Sequence, residues 1–233
     1  MEVICMTTLI KKETINFDES LTCNNLLGSL PAEELNYWKP FLKLVSLPLN
    51  HVIWESGTKS KYMFFPTTAI VSFMYMNEDG KSSEVITVGN EGAVGISLLL
   101  SDSPMISQAV IETAGEGYLL DAHLIQLVFE RNAMLKILLK YSQEMIRQLI
   151  QNSISKQHLS VQQQLSRRLL LGLDRTNSTQ LALTHERLAN ILGVRRESVT
   201  QAAMKLQQCG AISYIRGHLT VLDRHILEKS CNI

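Results

Sequence analysis

Hydrophobic residues recur with two different periods along the chain, and the period changes near residue 121. From Leu47 to Leu120, short apolar and β-branched runs are separated by Gly, Pro, Asn or Asp: HVIWE, KYMFFP, AIVSFMYM, SEVITVG, SQAVIET and GYLLD. Runs of this length and spacing are typical of the strands of an all-β sandwich or roll. The stretch NEDGKS predicts a hairpin turn, with Asp79 and Gly80 as its central pair.

A short helix is predicted ahead of these strands. Ser29 is placed as its N-cap, Pro31 follows early, and Glu33 and Glu34 stand in the first turn. This order matches the usual start signals of a helix.

From Asp121 onward the period becomes helical, and no Gly or Pro occurs before Gly172. A heptad stripe describes either a helix packed on its own β domain or a helix paired between two subunits. Its length and its polar flanks favour the second, so we predict a homodimer, with Asn152 setting the register. The stripe consists of Leu138, Ser142, Met145, Leu149, Asn152, Lys156 and Leu159, and the dimer helix is assigned through Leu138, Met145, Leu149, Asn152 and Leu159.

Composition indicates a globular protein of the reducing cytoplasm. Of 233 residues, 45% are hydrophobic and 19% charged, and no apolar run approaches the roughly 18 residues that span a bilayer. The first residues do not follow the order of a secretory signal. The cysteines lack metal-ligand spacing and lie far apart, at Cys5, Cys23, Cys209 and Cys231.

Charge is distributed unevenly, although the net charge of the chain is zero. Residues 1–160 hold 12 Lys and Arg against 17 Asp and Glu, whereas residues 161–233 hold 10 against 5. A basic smaller part joined to an acidic larger part predicts two domains, of which the second faces an anion.

The basic part contains LTHERLANILGVRRESVTQAAMKLQQCGAI, which has the form of a helix-turn-helix. Thr184 is placed as the N-cap of a helix ending at 192, Gly193 makes the turn, and a second helix spans 196–208. AISYIRGHLTVLD then predicts a small hairpin that turns at Arg216, Gly217 and His218. The second helix presents Arg195, Arg196, Glu197, Thr200 and Gln201 outward, and in this motif such an end enters the major groove of DNA.

This arrangement resembles the Crp/Fnr family of bacterial transcription regulators over nearly the whole chain. The resemblance implies an α+β fold: an antiparallel β roll (jelly-roll, cyclic-nucleotide-binding-like) with an N-terminal helix over residues 1–120, a long dimerisation helix within 121–160, and a winged helix-turn-helix over 161–233. It implies double-stranded DNA as the partner, a near-palindromic operator, RNA polymerase as a candidate partner, and no membrane.

The family pattern T-x-x-x-[IL]-A-x-x-[IL]-G-x-x-R-E-[ST]-V also implies residue roles. Arg196 and Glu197 become base readers, together with Gln201, which stands where family members often carry an Arg. Arg suits guanine, Glu suits cytosine N4 and Gln suits adenine. Phosphate contacts are implied for Thr184, Arg195, Ser198, Thr200, Arg216 and His218.

The effector domain departs from the cyclic-nucleotide binders of the family. The stretch NEGAVGISLLLSDSPMISQAVIET corresponds to their ligand-binding turn, yet Ala93 replaces the glutamate, and Ser107 stands at the arginine position. Between Lys81 and Arg131 there is no Lys or Arg, and a phosphate buried without a cation is costly. A weak pocket of Glu91, Gly92, Gly95, Ser107 and Gln108 is retained as the effector site.

No cofactor is predicted and the effector is unknown. Cys5 and Cys23 are too few for an iron–sulfur cluster, and His51 and His123 are the only candidate haem ligands of the β region besides cysteine. An apolar pocket for a small molecule, no ligand at all, and a cyclic-nucleotide-gated or other ligand-gated regulator stay open. A β-roll enzyme would need clustered His and carboxylate ligands, so we predict no catalytic and no metal-binding residues.

Overall fold

The structure is a computed structural model, and it divides the chain into two compact units. One is formed by Met1–Tyr75 and Ile86–Gln148, and the other by Met76–Val85 and Leu149–Ile233. The residues that the structure describes are 20–76, 82–100, 103–175, 179–181, 183–215 and 217–231.

Antiparallel strands form two sheets in the β roll. One sheet has the order β1-β7-β3 and the other β2-β6-β4-β5. Their side chains meet in one core, in which Phe64, Phe65, Ile111, Tyr118 and Leu120 are fully buried. The strands are β1 (Lys43–Leu47), β2 (Val52–Trp54), β3 (Tyr62–Pro66), β4 (Ile70–Met76), β5 (Ser82–Val88), β6 (Gln108–Thr113) and β7 (Gly115–Asp121).

The predicted α+β fold class is confirmed, and each predicted strand run contains a strand. Strand β1 was missed, because KLVSL is short and begins one residue beyond the 3₁₀ turn Lys39–Phe41. The turn predicted at Asp79 and Gly80 lies outside the described residues.

The helix start at Ser29 was wrong. Ser29 instead ends α1 (Asn25–Gly28), whose N-cap Asn24 accepts from the backbone N–H groups of Leu26 and Leu27. The predicted helix is α2 (Ala32–Trp38), which begins after Pro31 without a side-chain cap. Glu33 and Glu34 do stand in its first turn, where carboxylates suit the helix dipole.

The helical region beyond residue 121 contains three helices. These are α3 (Ile125–Glu130), α4 (Asn132–His158) and α5 (Val161–Arg175). The break after α4 comes from a capping box: Ser160 Oγ accepts from the Gln163 N–H at 3.3 Å, and Gln163 Oε1 accepts from the Ser160 N–H at 2.9 Å.

The second unit has its own core beneath a helix-turn-helix. Leu165, Leu188, Val199, Ala203 and Leu219 are fully buried in it. Around this core lie α5, α6 (His185–Leu192), α7 (Arg196–Gln208), α8 (Arg224–Ser230) and a sheet of order β8-β10-β9 from Gln180–Leu181, His218–Val221 and Ile212–Ile215.

A buried ion pair holds the beginning of β5 within this second unit. Arg168 Nε of α5 lies 3.5 Å from Glu84 Oε1, and both side chains are less than a tenth exposed. Next to it, Asn152 Nδ2 donates to the backbone oxygen of Val85 at 3.2 Å. A buried charge whose partner is removed strongly destabilises a protein. The stability of the fold therefore requires Arg168 and Glu84 together.

Replacing Arg168 with Met should therefore cost about 3–5 kcal/mol of unfolding free energy, because the Glu84 carboxylate stays buried without its cation. The measurement is urea unfolding followed by circular dichroism. The matched control is Arg224→Met, which removes an exposed arginine paired with Asp174 and Glu228 and should cost less than about 1 kcal/mol. Equal losses in the two variants would contradict the role of the buried pair.

Candidate nucleic-acid interface

Helix α6 starts at a side-chain cap, as predicted. Thr184 has extended backbone angles, and its Oγ1 accepts from the Arg187 N–H at 3.1 Å. Thr184 is exposed, and Glu186 lies in the first turn. The free N–H groups at this end of α6 suit an anion such as a phosphate.

The turn between the two helices depends on Gly193. Its φ of 68° and ψ of 32° are left-handed, and its N–H donates to the backbone oxygen of Ala189. Residues with a Cβ adopt this conformation at a cost of about 1–2 kcal/mol. The orientation of α7 relative to α6 therefore depends on the left-handed conformation of Gly193.

Helix α7 has one buried and one exposed face. Val199, Ala202, Ala203 and Leu206 are buried in the core of the second unit. At helical spacing, Glu197, Gln201 and Met204 fall on the opposite face, and all three are exposed. Arg196 lies in the first turn beside this face and is exposed as well.

The start of α7 has no stabilising cap of its own. Arg195 occupies the N-cap position, and its side chain makes no hydrogen bond to the helix. Within the described part of the chain, neither Arg195 nor Arg196 belongs to an ion pair. Cations in a first turn oppose the helix dipole, so an anion outside the helix would stabilise both arginines.

Other arginines of the second unit have structural partners. Arg224 Nη1 donates to Asp174 Oδ1 at 2.7 Å, and Arg167 Nη1 donates to Ser155 Oγ at the same distance. Arg168 is paired with Glu84. Only part of the positive charge that the sequence counts over residues 161–233 is therefore free of a partner inside the protein.

Two of the predicted phosphate contacts are half-buried, namely Ser198 and Thr200. Thr200 Oγ1 lies 3.1 Å from the backbone oxygen of Arg196 and 3.0 Å from Nδ1 of His185. Its hydroxyl is thus engaged inside the domain.

The wing lies beside the start of α6. Strands β9 and β10 pair antiparallel, with His218 opposite Ile215. A Cβ added at Gly217 in the turn between them would lie 3.6 Å from Thr184 Cγ2. His218 is exposed next to this turn, and Arg216 lies outside the described residues. Thr184 and the wing are therefore neighbours, as two contacts to one DNA backbone require.

Sequence reasoning missed His185, the first residue of α6. Its ring stacks on Tyr214 of β9, with centroids 4.1 Å apart and planes at 20°. Burial lowers the pKa of His185 below its ordinary value, and the positive charge of Arg196 lowers the pKa further. No local pattern marks it, because its partners lie 15 and 29 positions away in the chain.

The predicted effector residues have partners within the first unit. Glu91 Oε1 accepts from the Gly89 N–H at 3.1 Å, and Gln108 Nε2 donates to Glu55 Oε2 at 2.8 Å. The carbonyl of Ser107 accepts from the indole N–H of Trp54 at 3.0 Å. Gly95 precedes the 3₁₀ turn Ile96–Leu99.

Gly92 of this set is packed against the long helix. A Cβ built on it would collide with the hydroxyl oxygen of Tyr141, a buried residue of α4. Only a glycine allows the phenol to approach so closely. Tyr141 thus occupies the space in front of one of the glycines predicted to hold an effector.

Among the described residues, no group of three His, Cys, Asp or Glu side chains is arranged to hold a metal ion. The described helices include none that is both long and apolar enough to cross a membrane.

Comparison with known proteins agrees with this geometry. Residues 163–230 match the family model of the Crp-like helix-turn-helix domain. No curated protein matches the chain.

Solved structures share the fold over most of the chain. A CRP-family transcriptional regulator from Thermus thermophilus is 17% identical, with a TM-score of 0.70 over 81% of this chain and 96% of its own. A CRP/FNR-family regulator from the same organism is 20% identical, with a TM-score of 0.68 over 82% and 98%. FixK2 from Bradyrhizobium japonicum is 15% identical, with a TM-score of 0.67 over 81% and 96%.

Residues 163–230 thus form a Crp-like helix-turn-helix domain, and the chain has the fold of solved CRP/FNR-family regulators. The family model confirms the resemblance seen in the sequence for the C-terminal domain, and the solved structures confirm the fold for the rest.

We expect Gly193→Ala to destabilise the protein by about 1–2 kcal/mol, because alanine strains the left-handed turn. Gly193→Asn should cost less, since asparagine tolerates this conformation. Thermal unfolding of both variants measures the difference. An alanine variant as stable as the wild type would show that the turn does not constrain α7.

Proposed function

We propose that the protein is a transcription regulator that reads DNA with α7 and acts as a homodimer on a near-palindromic operator. The observation that carries the proposal is the first turn of α7. There, Arg195 and Arg196 are exposed, oppose the helix dipole and have no ion-pair partner in the described structure. The phosphates and base edges of a major groove would supply that partner.

Base reading is assigned to Arg196, Glu197 and Gln201. Glu197 and Gln201 lie one helical turn apart on the solvent face of α7, so they would meet neighbouring base pairs. Met204 continues this face by one more turn and is 54% exposed. It could contact a thymine methyl group, an apolar contact that the sequence did not suggest.

Phosphate contacts are assigned to both sides of the reading helix. Thr184 and His218 are exposed, and Thr184 at the N-terminal end of α6 lies next to Gly217, which precedes His218. Arg195 precedes α7, and the sequence adds Ser198 and Arg216 to this group, whereas the hydroxyl of Thr200 is engaged with His185 and the backbone of Arg196. Such contacts orient the domain on the duplex and carry no sequence information.

Dimerisation is assigned to α4, a helix of 27 residues. Large apolar side chains are open to solvent at spacings of seven, four and four along it. These are Leu139, Ile146, Ile150 and Ile154, exposed to 49%, 58%, 56% and 53%. They lie on one side of the helix, since such spacings return to the same face. The packing of two such helices would remove this stripe from water.

The stripe differs from the one that the sequence emphasised. Leu138 is fully buried in the core of the first unit, and Met145 packs against the same core. Asn152 is bonded to Val85. Ile154 also lines a groove of about 630 Å³, together with Gln151, Ser155, Arg167, Leu170, Leu171, Asp174, Arg224 and Glu228. Leu149 and Leu159 are half-buried, so they remain available to support the dimer contact.

A two-fold dimer would present two α7 helices to half-sites one helical turn apart. In this proposal residues 1–120 form the effector domain, 121–160 carry the dimer helix and 161–233 bind DNA. Any signal would act by favouring one spacing of the two reading helices. RNA polymerase is the candidate protein partner at the promoter. The proposed location is the cytoplasm, where the DNA lies.

The proposed effector domain works without the phosphate-binding arginine of cyclic-nucleotide sensors. Between Lys81 and Arg131 it contains no Lys or Arg, and Tyr141 packs onto the Gly92 turn. A ligand-gated regulator is the alternative, in which a small molecule displaces the Tyr141 phenol. Binding that depends on an added ligand would favour this alternative.

Selection of bound sequences from a random DNA pool by the purified protein tests the proposal. Enrichment of a two-fold palindrome is expected, and a salt titration on the winning sequence counts the phosphate contacts. Absence of enrichment, both alone and in cell extract, would contradict DNA reading by α7.

For Arg196→Ala, the expected result is a loss of about 1–3 kcal/mol of discrimination at one base pair of the selected operator. The neighbouring Arg195→Ala is the matched control. It should weaken binding to all sequences alike and reduce the slope of affinity against salt by about 1. Competition binding with operator and single-mismatch duplexes distinguishes the two outcomes. Uniform loss in the Arg196 variant would make it a phosphate contact.

The dimer contact is tested by Ile150→Glu, which places a charge in the exposed stripe of α4. Sedimentation should show a dimer for the wild type and a monomer for this variant, because a carboxylate in an apolar seam is costly. Lys140→Glu is the control, since Lys140 is exposed on α4 but lies beside the stripe. A dimer that survives Ile150→Glu would place the interface elsewhere.

A further inference from the structure

One imidazole connects the three elements of the DNA-binding domain that are assigned DNA contacts. His185 is the first residue of α6, its Nδ1 lies 3.0 Å from Thr200 Oγ1 of α7, and its ring stacks on Tyr214 of β9 in the wing. The inference drawn from this junction rests on the DNA-binding function proposed above.

The first turn of α7 needs a support that its own sequence lacks. Arg195 provides no side-chain cap, so the turn that carries Arg196 and Glu197 is held at its start by backbone hydrogen bonds alone. Thr200, one turn further on, is hydrogen-bonded both to the backbone oxygen of Arg196 and to His185. The contact with His185 therefore fixes this turn from outside the helix.

The surroundings of the ring, more than the contact itself, favour the neutral form. If the Thr200 hydroxyl donates to the backbone oxygen of Arg196, Nδ1–H must donate to Thr200, and Nε2 of a neutral ring then carries no proton. If the hydroxyl donates to Nδ1 instead, Nε2 carries the proton. In both cases Nε2 is buried, and it has no hydrogen-bond partner among the described residues.

A protonated ring does not fit this environment. It would carry N–H groups on both nitrogens, leaving a charged donor buried at Nε2. The groups set against the ring are the Arg196 cation of α7 and the Tyr214 phenol of β9, and no carboxylate on these two elements is placed against it. Burial and Arg196 accordingly lower the pKa of His185.

We propose that His185 is a positioning residue for base reading: its neutral imidazole joins the reading helix to the wing, so that Arg196, Glu197 and the wing turn meet DNA as one rigid unit. Its loss would loosen the first turn of α7 without removing a phosphate contact. Discrimination between sequences then falls, while the number of counterions released on binding stays the same.

The test uses the full-length protein, the operator obtained by selection and a random duplex. His185→Phe keeps the stack on Tyr214 and removes the hydrogen bond. His185→Asn keeps a hydrogen-bonding group near the position of Nδ1 and does not titrate. His225→Asn, at an exposed histidine on α8, is the matched control.

His185→Phe should lower the ratio of operator affinity to random-DNA affinity about fivefold, the equivalent of one typical hydrogen bond, with an unchanged salt slope. His185→Asn should recover most of this ratio, and His225→Asn should leave it unchanged. Thr200→Val removes the same hydrogen bond from the other side. It should reproduce the loss, and combining it with His185→Phe should add nothing further.

The pH profile separates positioning from mere packing. A lowered pKa means that the folded protein binds the proton less readily than the unfolded chain does. The contribution of the contact is therefore complete above the ordinary value of 6.5 and is lost as the pH falls below it. The affinity ratio of the wild type should fall as the pH drops below 6.5, whereas that of His185→Asn should fall less.

Three results would overturn the role of His185. The first is an unchanged ratio of operator affinity to random-DNA affinity in both His185→Phe and Thr200→Val. The second is a ratio in His185→Asn that is as low as in His185→Phe. The third is the same pH profile of the ratio for the wild type and His185→Asn. A wild type that selects no operator would instead remove the proposed function itself, and the role of His185 with it.

Discussion

Burial of one face of α7 is the interaction on which the DNA-binding domain depends. Val199 and Leu206 are fully buried there, and burial of a side chain of this size contributes about 1.5–3 kcal/mol. Against this, a missing N-cap costs about 1 kcal/mol, and a cation at a helix start about 0.3–1 kcal/mol. The stabilisation from burial exceeds these two costs together, so α7 is stable even though its first turn carries arginines that favour binding of an anion. The hydrogen bond between His185 and Thr200 then links the N-terminal half of α7 to α6.

The arginines of the second unit divide into two groups with different physical roles. Arg168 is buried against Glu84, and Arg224 bridges Asp174 and Glu228, so their charges are matched within the protein. Arg195 and Arg196 are exposed at the start of the reading helix. A count of charges over residues 161–233 cannot separate these groups, because the partner of Arg168 lies 84 positions earlier in the chain. That some of this charge faces an anion stays a prediction.

The long helix shows why a heptad pattern alone left its partner open. Two adjacent stripes run along α4: one contains Leu138 and Met145 and packs on the core of the β-roll unit, and the other contains Leu139, Ile146, Ile150 and Ile154 and faces solvent. Periodicity identifies both stripes as apolar faces and does not show which of them is buried. Only the position of the β core decides which stripe is covered. The dimer assignment stays a prediction, now directed at the exposed stripe.

The sequence by itself determined what local interactions control. Thr184 as a cap, Gly193 as a turn, the bounds of α7 and the runs that became strands all follow from neighbours within a few residues, where hydrogen bonds and side-chain spacing act directly. Ser29 shows the limit even there, because two short helices compete for one polar residue. Tertiary structure alone decided the contacts between Glu84 and Arg168 and among His185, Thr200 and Tyr214. These join residues far apart in the chain, and their stability comes from burial, which no local pattern records.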